Sequence, residues 1–153
     1  MRRRDLFAAA LVAGLAAPAA ARGQDRDSAI LRTLIAREEV AVLAYRGVDL
    51  PGLGDPAAQD EAHVKALRTE LQALKLDTPR IAADDLDPAV RRLSEAPEDE
   101  RRAAALALET DLLAEYREAV LGITEPAILQ AVATILACHA QRRALLSAAS
   151  YPP

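Results

Sequence analysis

Tryptophan is absent from the 153 residues, and only Phe7, Tyr45, Tyr116 and Tyr151 are aromatic. Strand-built cores draw on aromatic and β-branched side chains, so this poverty, beside abundant alanine, argues against a sandwich or barrel and for close-packed helices. The lone Cys138 excludes an intramolecular disulfide and a cysteine metal cage. There is no basic excess either: the net charge of −4 leaves no electrostatic footprint for nucleic acid. No apolar run reaches the roughly 20 residues a membrane-spanning helix needs. What is present, 52% hydrophobic against 27% charged residues, is enough to pack one interior and too apolar for a disordered polyelectrolyte. The length suits one domain.

Arg2, Arg3 and Arg4 precede an apolar segment from Leu6 to Ala17, followed by Pro18 and the small-residue pattern Ala19-x-Ala21. This order is that of a signal peptide over residues 1–21, removed to leave a domain of residues 22–153 in the periplasm or outside the cell. Arg3-Arg4-Asp5-Leu6-Phe7 further resembles the twin-arginine export signature, with the general secretory route as the alternative. Losing three arginines and one aspartate with the leader takes the net charge from −4 to −6. After cleavage no stable membrane insertion is expected.

Periodicity then predicts an all-α chain of four helices. The first, over 28–46, follows the cap pair Asp27-Ser28, buries Leu31, Leu34, Ile35, Ala41, Val42 and Tyr45, and stops at Gly47. The second starts at Asp55-Pro56, presents Asp60, His63, Val64, Leu67, Leu71 and Leu74 on one face, and ends near Asp77. Residues 79–96 read as a long connection with one short helix around Ala89 to Leu93. The third opens on the acids of Glu98-Asp99-Glu100 and closes at Gly122. The fourth follows Pro126 with Ile128, Val132, Ile135, His139, Arg142 and Leu146 on its face. Short connections make antiparallel pairs, and the middle one is long enough to cross the bundle, giving an antiparallel four-helix bundle with one long crossover between helices two and three.

Charged residues on these apolar stripes need partners, because burying an unpaired charge is costly. Glu38 lies on the first stripe with Tyr45 seven residues on, and Glu109 lies on the third with Tyr116 at the same spacing. Glu-x6-Tyr therefore occurs twice. Asp60 with His63, and His139 with Arg142, stand three apart on helices two and four. Glu39 is the alternative inward acid if the first helix is rotated. Read singly, each histidine suits a hydrogen-bonded core residue as well as a ligand. Tyr45 and Tyr116 are expected as packing residues with bonded hydroxyls, and Cys138 as a small buried hydrophobe. Asp84, Asp85 and Asp87 read as a solvated turn rather than a calcium loop, and Arg91-Arg92 and Arg101-Arg102 as solvated faces.

These residues resemble an exported bacterial ferritin-like domain, in which helices one and three each give a glutamate and helices two and four each give Glu-x-x-His. The resemblance spans roughly residues 28–149. It implies a metal centre of Glu38, Asp60, His63, Glu109 and His139 for iron or manganese, with Asp60 where the family has glutamate. His139 and Arg142 replace the second Glu-x-x-His, and a guanidinium does not ligate. Three readings stay open: a metal-free bundle held by an Arg–carboxylate–His network, a single-ion site, and a two-metal site, the last being the one that implies oxidoreductase or ferroxidase-like activity. A structural or interaction role accompanies the first. The partner expected is a metal ion, and a homo-oligomer is left possible.

Overall fold

A computed structural model of the chain describes residues 19–77 and 88–148. Residues 1–18 of the leader expected over 1–21, the acids Asp84, Asp85 and Asp87, and Tyr151 lie outside the described residues. Among those described there are five helices and no strand: α1 (Ala19–Tyr45), α2 (Pro56–Ala73), α3 (Pro88–Ser94), α4 (Arg101–Gly122) and α5 (Pro126–Ala148). The chain is an all-helical bundle. The fifth, α3, is the short helix expected around Ala89 to Leu93 in the middle connection, which buries Val90 and Leu93 against α1 and α4. No helix among the described residues is long and apolar enough to cross a membrane.

The faces read from periodicity are the buried ones. In α5, Ile128, Val132, Ile135, His139, Arg142 and Leu146 are the buried set, and in α2 they are Pro56, Asp60, His63, Val64, Leu67 and Leu71. Leu74 is only partly buried, because it caps α2 instead of continuing it. Asp55 starts α2 as expected, its carboxylate accepting the Ala58 amide at 3.0 Å ahead of Pro56. Gly47, at φ +76°, takes the left-handed backbone that stops α1.

Three helix ends depart from expectation: α1 starts earlier, α2 stops at Ala73 rather than near Asp77, and α4 begins at Arg101, with Glu98-Asp99-Glu100 in a turn ahead of it rather than in its first turn. The helix α1 begins at Ala19, so Asp27-Ser28 sits inside it rather than capping it. Ser28 Oγ donates to its own helix at Asp25, and the Asp27 carboxylate accepts the amides of Thr124 and Glu125, each at 2.9 Å, and the Thr124 hydroxyl at 3.0 Å. Asp27 therefore satisfies the amides of the two residues leading into α5, where a negative charge also meets the positive end of the helix dipole. At Gly122, the last residue of α4, a Cβ would come within 2.8 Å of Ile30 Cδ1 on α1, so the close approach of the two helices favours glycine there.

The contacts between helices follow one pattern. Gln24, early in α1, donates to the Leu74 carbonyl past the end of α2, while Arg46 just beyond α1 faces Glu61 near the start of α2. Asp27 meets Thr124 past the end of α4, whereas Tyr45 meets Glu109 in its first half. Arg102, at the start of α4, donates to the carbonyls of Leu145 and Leu146 late in α5, so it ties two helices together rather than lining a solvated face. Arg142, in the second half of α5, reaches Gln59 and Asp60 in the first turns of α2.

The apolar interior divides in two. One cluster gathers Leu31, Leu34, Leu67, Tyr116, Ile128 and Val132 at one end, and the other Ala41, Tyr45, Leu93, Leu108, Leu112 and Leu146 at the opposite end. Between them lies a layer of buried charge.

Candidate metal centre

Glu38, Asp60, His63, Glu109, His139 and Arg142 are all buried, and three of them are acids. Their hydrogen bonds are nearly complete. Glu38 on α1 accepts the Tyr116 hydroxyl at 2.5 Å and His139 Nε2 at 2.8 Å on one carboxylate oxygen, and faces His63 Nδ1 at 3.2 Å with the other. Glu109 on α4 accepts the Tyr45 hydroxyl at 2.6 Å and Arg142 Nη1 at 2.9 Å on one oxygen, and meets His139 Nδ1 at 2.9 Å with the other. Asp60 on α2 takes both ends of the guanidinium, at 2.8 and 3.1 Å, with His63 Nδ1 at 3.5 Å from it. Gln59 adds a side-chain oxygen 3.1 Å from Arg142 Nη2, and the guanidinium carbon lies 5.3 Å from the Tyr45 ring centre.

The repeated Glu-x6-Tyr is reciprocal in space. Tyr116 of the second copy caps Glu38 of the first, and Tyr45 of the first caps Glu109 of the second. Each glutamate then meets a nitrogen base on either side: His63 and His139 for Glu38, His139 and Arg142 for Glu109. Arg142 holds beside Glu109 the place that His63 holds beside Glu38.

His139 shows what charge this arrangement needs. Both its ring nitrogens face carboxylate oxygens, which only accept, so both donate and the ring is an imidazolium. Burial by itself would push His139 down, but hydrogen bonds to Glu109 and Glu38 outweigh it and hold the ring up at about 9. For His63 burial again acts downward, and bonds to Asp60 and Glu38 lift it to about 10. Burial alone would raise the Glu38 and Glu109 carboxyls, yet the histidine hydrogen bonds keep both below the ordinary range. Burial, with a carboxylate against each hydroxyl, raises Tyr45 and Tyr116, so both remain protonated donors. Three carboxylates face one guanidinium and two imidazolium rings, and the layer is neutral.

All five residues expected to ligate lie in this layer. Glu38, Asp60, His63 and His139 form the tighter group, each offering one ligand atom, with all four atoms within 4.8 Å of one another. Glu109 stands outside that group, engaged by Arg142, Tyr45 and His139. Glu39 does not turn inward: it pairs with Arg68 at the margin of α1 and α2. Cys138 corrects the expectation of a buried hydrophobe, since it is half-exposed where α2 and α5 leave a groove between them. Gln59 carried no sequence signal beyond its place beside Asp60.

Fold and site together define an all-helical bundle with a buried carboxylate–histidine group able to hold a metal ion. In comparisons with known proteins the chain matches no family model, no curated protein and no solved structure. The ferritin-like resemblance thus rests on this chain's own residues.

Proposed function

We propose that the chain is an exported ferritin-like bundle that holds a single ferrous or manganous ion at Glu38, Asp60, His63 and His139, with the Arg142 guanidinium standing in for a second ion. One observation carries the reading: four buried ligating groups from three helices converge within 4.8 Å. Two carboxylates and two imidazoles suit iron and manganese. A buried charged layer is also poor value as a structural device, since replacing such networks with apolar side chains is often neutral or stabilising, and perturbed ionisable groups gather at functional sites. The helix contacts support antiparallel neighbours throughout, with α1 against α2 and α4, and α5 against α2 and α4, joined by the long middle connection through α3. The reciprocal glutamate–tyrosine pairs support the internal two-fold relation of that architecture.

A bound ion would supply Lewis-acid or one-electron chemistry; the chain's own residues govern its uptake. His63 and His139 each give up the proton they hold against a carboxylate, so one divalent charge replaces two protons and the layer stays neutral. Arg142 keeps Asp60 and Glu109 compensated in either state.

The full chain purified from a host competent for folded export, then dialysed against manganous ion, is expected to carry one ion by elemental analysis and to lose it when His63 and His139 are replaced by alanine. Protein that retains no iron or manganese sinks the reading. The metal-free alternative, a structural or interaction bundle, is favoured by one observation, that both His139 nitrogens are already seated on carboxylates. Export is part of the proposal on the strength of the amino-terminal sequence. Replacing Arg3 and Arg4 by lysine is expected to stop export of the folded protein, and efficient secretion of that variant would overturn the twin-arginine route.

A further inference from the structure

We propose that the groove between α2 and α5 is the port through which a divalent cation reaches the central site, a step that rests on the metal-binding reading above. The groove encloses about 430 Å³ and has His63 at its inner end, beside Cys138. His63 is the one member of the charged layer whose side chain shows appreciable exposure, 11%, against 0–3% for the others. The way in is therefore at His63. Its walls are low because the facing residues are small: Ala62 and Ala66 on α2, Ala127 and Ala131 on α5.

Charge separates this groove from its neighbours. The groove between α1 and α2 is lined by Arg46, Lys65 and Arg68 against Glu39 and Glu61, and the one between α1 and α4 by Arg26, Arg37 and Arg117 against Glu115 and Glu118, so each keeps an excess of basic over acidic side chains. The α2–α5 groove has no lysine or arginine and is lined by Glu70, two turns along α2 from His63. A cation approaching the first two meets a lining with more basic than acidic side chains; here Glu70 has no lysine or arginine beside it, and the His63 imidazolium gives up its proton as the ion takes its place. Cys138 lines the groove together with His63, so an adduct on that sulfur would fill the path beside the ring.

The test uses the metal-depleted full chain and manganous ion, following uptake by rapid mixing before and after alkylation of Cys138 with N-ethylmaleimide. A plug in the path changes the rate and leaves the ligands alone: uptake should slow by about tenfold or more while the equilibrium dissociation constant stays within about threefold. Treated and untreated Cys138→Ser should load at the same rate as each other. Glu70→Lys, a surface change that leaves the ligands in place, should slow uptake and reverse its response to salt, since screening slows a cation drawn in by Glu70 and speeds one repelled by the lysine. Alkylated protein that loads at the unmodified rate overturns the port, as does an adduct that weakens affinity without slowing association. If unmodified protein takes up no manganese, the central site itself is wrong and the port falls with it, so the two failures are read apart.

Discussion

Arg142 is the side chain on which the balance of the central layer turns. It is 3% exposed and holds Asp60 with two bonds and Glu109 with one. Arg142→Ala should cost about 3–5 kcal/mol in chemical denaturation, because removing one partner strands buried charge. A near-neutral result would show the carboxylates compensated without it. His139→Glu with Arg142→His rebuilds a second Glu-x-x-His and should raise the manganese content from one ion per chain to two by elemental analysis. Tyr45→Phe and Tyr116→Phe each remove a hydroxyl donated to a buried carboxylate, at about 1–3 kcal/mol apiece. The reciprocal geometry predicts similar losses, and a large inequality in denaturation midpoints would count against it. Glu38 was legible as the inward acid because its spacing from Leu34, Val42 and Tyr45 is helical. That Tyr116 and not Tyr45 caps it was not legible, since a sequence spacing of seven says nothing about which partner helix lies alongside.

At the scale of helices, Asp27 shows how a local signal is reassigned by packing. Asp-Ser ahead of an apolar run is a natural cap for the helix that follows, yet α1 starts earlier and the carboxylate serves α5 across the bundle. Asp27→Ala should cost about 1–2 kcal/mol, the usual range for losing a cap. The loss should fall on the first turn of α5, read as faster amide hydrogen exchange at its start, with α1 unchanged; faster exchange confined to α1 would return the cap to its own helix. Gly122 was read correctly as the end of α4, and Ile30 of another helix shows in addition why that position has no room for a side chain.

Over the whole molecule the buried charge makes stability depend on pH from both sides. His63 and His139 have folded pKa values of about 10 and 9, above the ordinary 6.5, so their stabilisation is complete below pH 6.5 and is lost as pH rises through 9 to 10. Glu38 and Glu109 are depressed, so theirs is present above the ordinary carboxylate range and is lost in acid. The melting temperature should therefore peak at about pH 5–6 and fall toward pH 10. Replacing both histidines by asparagine should flatten the alkaline side. An alkaline limb unchanged in that variant would show that the rings are not the groups responsible.

Periodicity, caps and composition determined much by themselves: the helical class, the faces of α2 and α5 and the stops at Gly47 and Gly122. Those features depend on residues within a few turns of one another, where 3.6-residue spacing and turn chemistry act directly. The sequence also placed Glu38, Asp60, His63, Glu109 and His139 on inward stripes, because a charge on an apolar face is visible without knowing its partner. Only the tertiary structure decided which partner each one has. It crossed the two Glu-x6-Tyr pairs, set both nitrogens of His139 against acids, drew Arg142 to Asp60 and Glu109, moved Glu109 outside the tightest ligand group, and opened the groove that leaves Cys138 half-exposed. Each of those facts depends on helices far apart in the chain lying side by side, and it is their packing, not the spacing within any one of them, that brings three carboxylates and three cations into one neutral layer.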